Sequence, residues 1–168
     1  MTALRPLTVD DLSTARYIHT ASFASAAKSH YAQTDIDAFI GFVRSPSYAD
    51  LLLGNPSFGA WIGDEMVGVA AWSPGEGRSP TARILVVSVR PLFTSAGLGR
   101  LLVEHIEEEA HAAGFRALEV SAPLGAVEFF EGLGYLSVRQ GGWKLPQGPE
   151  LPVVFMRKAD FSGLPSST

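Results

Sequence analysis

The segment Val89-Arg90-Pro91-Leu92-Phe93-Thr94-Ser95-Ala96-Gly97-Leu98-Gly99-Arg100 carries the residue types of an anion site. A β-branched run ends at Val89, a proline follows, and Gly97 and Gly99 open a stretch of helical periodicity. The first N–H groups of a helix lack intrahelical partners and point outward, and glycines let a phosphate approach without a Cβ in the way. Thr94 and Ser95 add hydroxyl donors and Arg100 adds a positive charge. The same glycines equally suit a plain helix start, with positive φ at Gly97 and tight packing on a sheet at Gly99. No lysine follows them, so a P-loop for nucleotide hydrolysis is excluded. Leu102 stands where a dinucleotide fingerprint needs its third glycine, so hydride transfer is excluded too.

Other reactive groups are sparse. The chain has no cysteine, which removes disulfides, cysteine-held zinc, iron–sulfur clusters and thiol nucleophiles. His19, His30, His105 and His111 fall in no familiar ligand spacing, so no metal is expected. Ser121 lacks the G-x-S-x-G context of a serine hydrolase. Glu107, Glu108 and Glu109 read as a solvated helix face, since consecutive helical residues cannot converge on one ligand. Trp61, Trp72 and Trp143 read as core or as walls of a cleft.

The elements that must position these groups fit one layered α/β domain over 1–158, with a tail at 159–168. The chain has 168 residues, 46% of them apolar and 18% charged, which is enough for a single core. A net charge of −4 argues against a broad basic surface for nucleic acid or an anionic membrane. No run approaches the roughly 18 apolar residues of a membrane span, and the chain reads as cytoplasmic.

The pattern predicts a strand at Leu4 to Thr8, helices over 10–24 and Thr34 to Val43, and a helical turn at 47–53. A hairpin follows with strands 58–62 and 66–72, then a central strand 82–89 and a helix from Gly97 to Ala113. A strand at Ala117 to Ser121, a helix near 126–133 and strands near 135–144 and 152–158 complete the order β-α-α-β-β-β-α-β-α-β-β.

Two segments together resemble the GNAT acyltransferase superfamily. Val89-x-Pro91 followed by Gly97-Leu98-Gly99 is similar to its pyrophosphate motif, V-x-P-x-x-(R/Q)-x-x-G-x-(G/A). Residues 118–135, LEVSAPLGAVEFFEGLGY, resemble its second signature, A-x-x-F-Y-E-x-x-G-F, through Ala126, Phe129, Phe130, Glu131, Gly134 and Tyr135. The resemblance covers about 81–158 by motif and 1–72 by topology alone. It implies a mixed, mainly antiparallel sheet flanked by helices, and acetyl transfer from acetyl-CoA to an amine. The expected acceptor is a small molecule, with a protein amino group or a noncatalytic CoA-binding module as alternatives. Homodimers are also frequent in this family.

By the same resemblance, acetyl-CoA lies across Thr94, Ser95, Ala96, Gly97, Leu98, Gly99 and Arg100. Its pantetheine arm would run past Val87, Val89, Ser121, Ala126, Phe129 and Phe130. The oxyanion donor is expected from the backbone N–H of Ser88 or Val89, at the splayed end of the central strand. Glu119, on one strand face with Ser121, is the expected base for the amine. A salt bridge from Glu119 to Arg116 or Arg139 is the structural alternative. Two positions depart from the family pattern: Thr94 replaces the usual Arg or Gln, and Phe130 replaces the tyrosine that commonly protonates the leaving thiolate. Tyr31 and Tyr135 are the hydroxyls that could substitute.

Overall fold

A computed structural model describes residues 1–146 and 148–159 of the chain. One sheet holds β1 (Thr2–Pro6), β2 (Ser57–Ile62), β3 (Glu65–Ser73), β4 (Thr81–Val89), β5 (Ala117–Pro123), β6 (Leu136–Lys144) and β7 (Glu150–Ala159). The helices are α1 (Leu12–Ala27), α2 (Gln33–Val43), α3 (Pro46–Leu53), α4 (Leu98–Ala112) and α5 (Val127–Gly132). Strands lie in the order β1-β2-β3-β4-β5-β7-β6 and pair antiparallel, except that β4 and β5 run parallel. A parallel pair needs a crossover, and α4 provides it. Helices α4 and α5 cover one face of the sheet; α1, α2 and α3 cover the other.

The expected element order holds with one helix more, α3, and with differences at element ends. Thr8 lies beyond β1 rather than in it. Its N–H and its hydroxyl both donate to Asp11 Oδ2, at 2.8 and 3.0 Å, and this closes a short turn before α1. The expected turn at 47–53 is a full helix, because Pro46 at its first position fixes φ where no N–H partner is needed. Ala159 ends β7, and residues 160–168 of the expected tail lie outside the described residues.

The glutamate run is not uniformly solvated. Glu107 is 2% exposed and takes hydrogen bonds from the Tyr135 hydroxyl at 2.9 Å and from Lys158 Nζ at 3.0 Å. Glu109 accepts from Trp72 Nε1 at 2.9 Å. Helical periodicity carries Glu107 round toward the sheet, and the cation and hydroxyl waiting there offset the cost of burying a carboxylate.

Two irregularities shape the centre of the sheet. Ala71 pairs with Val86 but Trp72 pairs with Ile84, so Leu85 is an extra residue in β4. Such a bulge reverses the side-chain alternation. Ala82 and Ile84 therefore pack under α4, while Val86 packs under α1 and α2. The parallel ladder ends at Ile84 and Val120, yet β4 runs on to Val89 and β5 to Pro123. The two strands separate there and leave a gap in the sheet.

Candidate active site

The gap opens into a cleft of about 260 Å³. One wall is the separated sheet and the α5 region, including Val87, Ser88, Ser121, Ala126, Phe129 and Phe130. The opposite wall is aromatic, built by Phe23 and Tyr31 with Phe39, Phe42, Tyr48 and Trp143. The bulge at Leu85 sets what the main chain offers. Arg90 N–H donates to the Val67 carbonyl at 2.8 Å, and Ser88 pairs with Val69 two residues away. Main-chain polar groups alternate sides along an antiparallel strand, so those of Ser88 face β3 while those of Val87 and Val89 face the gap. Of the two expected oxyanion donors, Val89 thus has its N–H on the open side.

Beyond the end of β4, residues 91–96 make a tight turn and Gly97 adopts φ of +76°, a left-handed conformation that disfavours any side chain. The first α4 bond closes at Leu101 N–H to the Gly97 carbonyl, 3.1 Å, which leaves the N–H groups of Leu98, Gly99 and Arg100 without helical partners. Gly97 and Arg100 are exposed. The turn thus has the positive φ and the close packing of a helix start, beside N–H groups of the kind an anion site uses. A Cβ on Gly99 would lie 2.9 Å from the Phe129 ring, so Gly99 lets α5 close against the start of α4. Thr94 spends its hydroxyl proton on the Pro91 carbonyl at 3.1 Å; the Ser95 side chain lies outside the described residues.

Glu119 sits 3.1 Å from the guanidinium of Arg83, its partner in place of Arg116 or Arg139, and both side chains are about half exposed. Arg83 lines the cleft and Glu119 does not. Phe130 is buried, edge-on to Tyr135 and to Phe129. Tyr135 is buried against Glu107, away from the cleft; burial and the neighbouring carboxylate push its hydroxyl pKa far up. Tyr31 donates to the Pro152 carbonyl and accepts from Leu124 N–H at 2.9 Å, so its hydroxyl ties the link between α1 and α2 to β7 and to the residue after β5. Trp61 and Trp72 are core, and Trp143 is a cleft wall.

Sequence reasoning left His19 and Tyr48 without a role. They meet in the aromatic wall, with His19 Nδ1 and the Tyr48 hydroxyl 2.7 Å apart. Burial lowers the His19 pKa to about 4, so the ring is neutral at pH 7. Nothing local to His19 in the sequence announces a partner from α3. No Asp or Glu lines the cleft among the described residues.

The acetyltransferase (GNAT) family model matches residues 15–135. The fold is similar to that of a GCN5-related N-acetyltransferase from Rhodopseudomonas palustris, with 25% identity, TM-score 0.84, and coverage of 95% of this chain and 96% of that one. It is also similar to the PaiA N-acetyltransferase from Thermoplasma acidophilum, solved in complex with coenzyme A, at 15% identity and TM-score 0.79 over 95% and 99% of the two chains. A ribosomal-protein-alanine N-acetyltransferase from Brucella melitensis shares the fold at 21% identity and TM-score 0.64, over 94% and 99%. No curated protein matches the chain by sequence.

Proposed function

The chain belongs to the acetyltransferase (GNAT) family and is an acyltransferase, and from that premise we propose that it moves an acetyl group from acetyl-CoA to the primary amine of a small molecule. The gap between β4 and β5, joined at its end to the free N–H groups of α4, is the observation that carries this reading. The pyrophosphate of CoA sits on the Gly97 turn, where backbone donors replace the side chain that Thr94 does not supply. The pantetheine arm enters the gap and brings the thioester carbonyl to the N–H of Val89.

Transfer is direct in a ternary complex, because the chain has no cysteine to carry an acyl group. The amine lone pair attacks the carbonyl, the oxyanion accepts a hydrogen bond from Val89, and collapse breaks the C–S bond. The electron pair leaves on sulfur, and the proton shed by nitrogen reaches the thiolate through water. Phe130 gives no proton, and a thiolate is a good enough leaving group to depart without a dedicated acid. Glu119 is engaged with Arg83 and acts on the cleft only through that guanidinium.

The aromatic wall of the cleft, which offers few polar groups to a peptide backbone, supports a small acceptor over a protein terminus. Thermal melting with CoA tests the reading. At 100 times its dissociation constant, CoA contributes about 2.7 kcal/mol, which raises the melting temperature by roughly 5–11 °C. An unchanged melting temperature at saturating CoA overturns it.

A further inference from the structure

Resting on that reading, we propose that the acceptor is a primary monoamine carried on an aromatic body. The acceptor side of the cleft is walled by Phe39, Phe42, Tyr48 and Trp143 and is joined by a neutral His19. Arg83 is the charged residue that lines the cleft among the described residues, and its charge is paired with Glu119, so no carboxylate is left to face an ammonium ion. An ammonium entering this space would lose water and gain no carboxylate, a cost that a neutral amine avoids.

The rings do not form an open cage for a cation. Phe23 stacks on Phe39 with centroids 4.2 Å apart, and Phe42 meets Trp143 edge-on at 5.2 Å, so their faces and edges are spent on each other. What they leave is an apolar slot that rewards a flat ring by its buried area. The chemistry closes without an enzyme carboxylate. A neutral amine forms the C–N bond as the C–S bond breaks, and the one proton it sheds is the one the thiolate takes up. A second amino group or a peptide chain would bring charges and polar groups that these walls do not satisfy.

The experiment follows CoA release from acetyl-CoA with phenethylamine, with cadaverine of similar length, and with an alanine-terminated tripeptide. Phenethylamine is expected to lead in kcat/KM by at least about tenfold, rising with pH in step with the free-amine fraction. Equal or greater kcat/KM for cadaverine or the tripeptide overturns the acceptor class while leaving acetyl transfer standing. No release with any amine, together with no thermal shift by CoA, overturns both readings. Phe42→Asp supplies the missing carboxylate at a half-buried position and is expected to move the phenethylamine-to-cadaverine ratio by about tenfold toward cadaverine. Trp143→Ala is the second variant, should the first not fold. It raises KM for phenethylamine by about tenfold and leaves KM for acetyl-CoA within about twofold; an unchanged amine KM overturns the proposal.

Discussion

The two faces of the sheet are built by different means. Under α4 and α5 the core joins Leu98, Leu102, Val103 and Ile106 to Phe58, Trp72, Phe130 and Tyr135, and it contains a buried charge cluster at Glu107. Under α1, α2 and α3 the aromatics Phe23, Phe39, Tyr48 and Trp61 stand among Ile18, Ile36 and Leu52, and the polar contacts are neutral, His19 with Tyr48 and Tyr31 with main-chain groups. In the proposed reading, the groups that meet the cofactor are backbone amides, placed by a bulge, a ladder that stops and a left-handed glycine. In the same reading, those that meet the acceptor are side chains drawn from α1, α2, α3 and β6. Backbone sites recognise what a whole family shares, whereas side-chain walls can change with the acceptor and leave the fold intact.

The sharpest way to break this contrast is Glu107→Ala. It strands Lys158 and the Tyr135 hydroxyl, and because Lys158 still reaches some solvent the loss should be about 2–4 kcal/mol, at the low side of a broken buried pair. Chemical denaturation reads it, and the remaining folded protein should bind CoA as before. If CoA affinity falls in parallel, the α4 core and the anion turn are not separable.

Acid probes the other face. His19 has its folded pKa depressed to about 4 from 6.5, so the unfolded chain binds the proton first. Its contribution is whole above about pH 6.5 and is lost as the pH falls toward 4, by at most about 3 kcal/mol, less where solvent reaches the cleft wall. Denaturation curves between pH 7 and 4 should show a shallower decline for His19→Phe than for the wild type. Parallel curves would mean that His19 keeps an ordinary affinity for protons in the fold.

Gly97→Asp tests the backbone site itself. It forces a side chain into a left-handed conformation and adds a negative charge beside the phosphates. CoA affinity, measured by calorimetry, should fall more than tenfold, above about 1.4 kcal/mol, with a smaller effect on folding. Equal affinity would put the cofactor elsewhere.

The smallest expected effect is at Glu119. Its pair with Arg83 is exposed, and exposed pairs contribute about 0–1 kcal/mol. Glu119→Gln should therefore keep turnover within about threefold. A loss of about 10²-fold, flattened at neutral pH, would make it the base.

Local information determined a good deal of this. Gly97 and Gly99 after Val89 and Pro91 announce a strand, a tight turn and a helix start, because positive φ and close approach are properties of single residues. A β-branched run and a period of 3.6 likewise placed β4 and α4 to within a residue or so, and the second signature placed Phe129 and Phe130 at the cleft. The tertiary structure alone decided which distant groups meet. Glu107 looks like its neighbours Glu108 and Glu109 until Lys158 and Tyr135 arrive beside it from β7 and the start of β6. Glu119 takes Arg83 because parallel register sets them side by side. The bulge at Leu85 leaves no mark in the run Ile84-Leu85-Val86-Val87, since it is a mismatch of count between β3 and β4. His19 finds Tyr48 across 29 residues of chain for the same reason. Hydrophobic period and glycine placement are written one residue at a time, whereas register and side-chain encounters are set by pairs of segments.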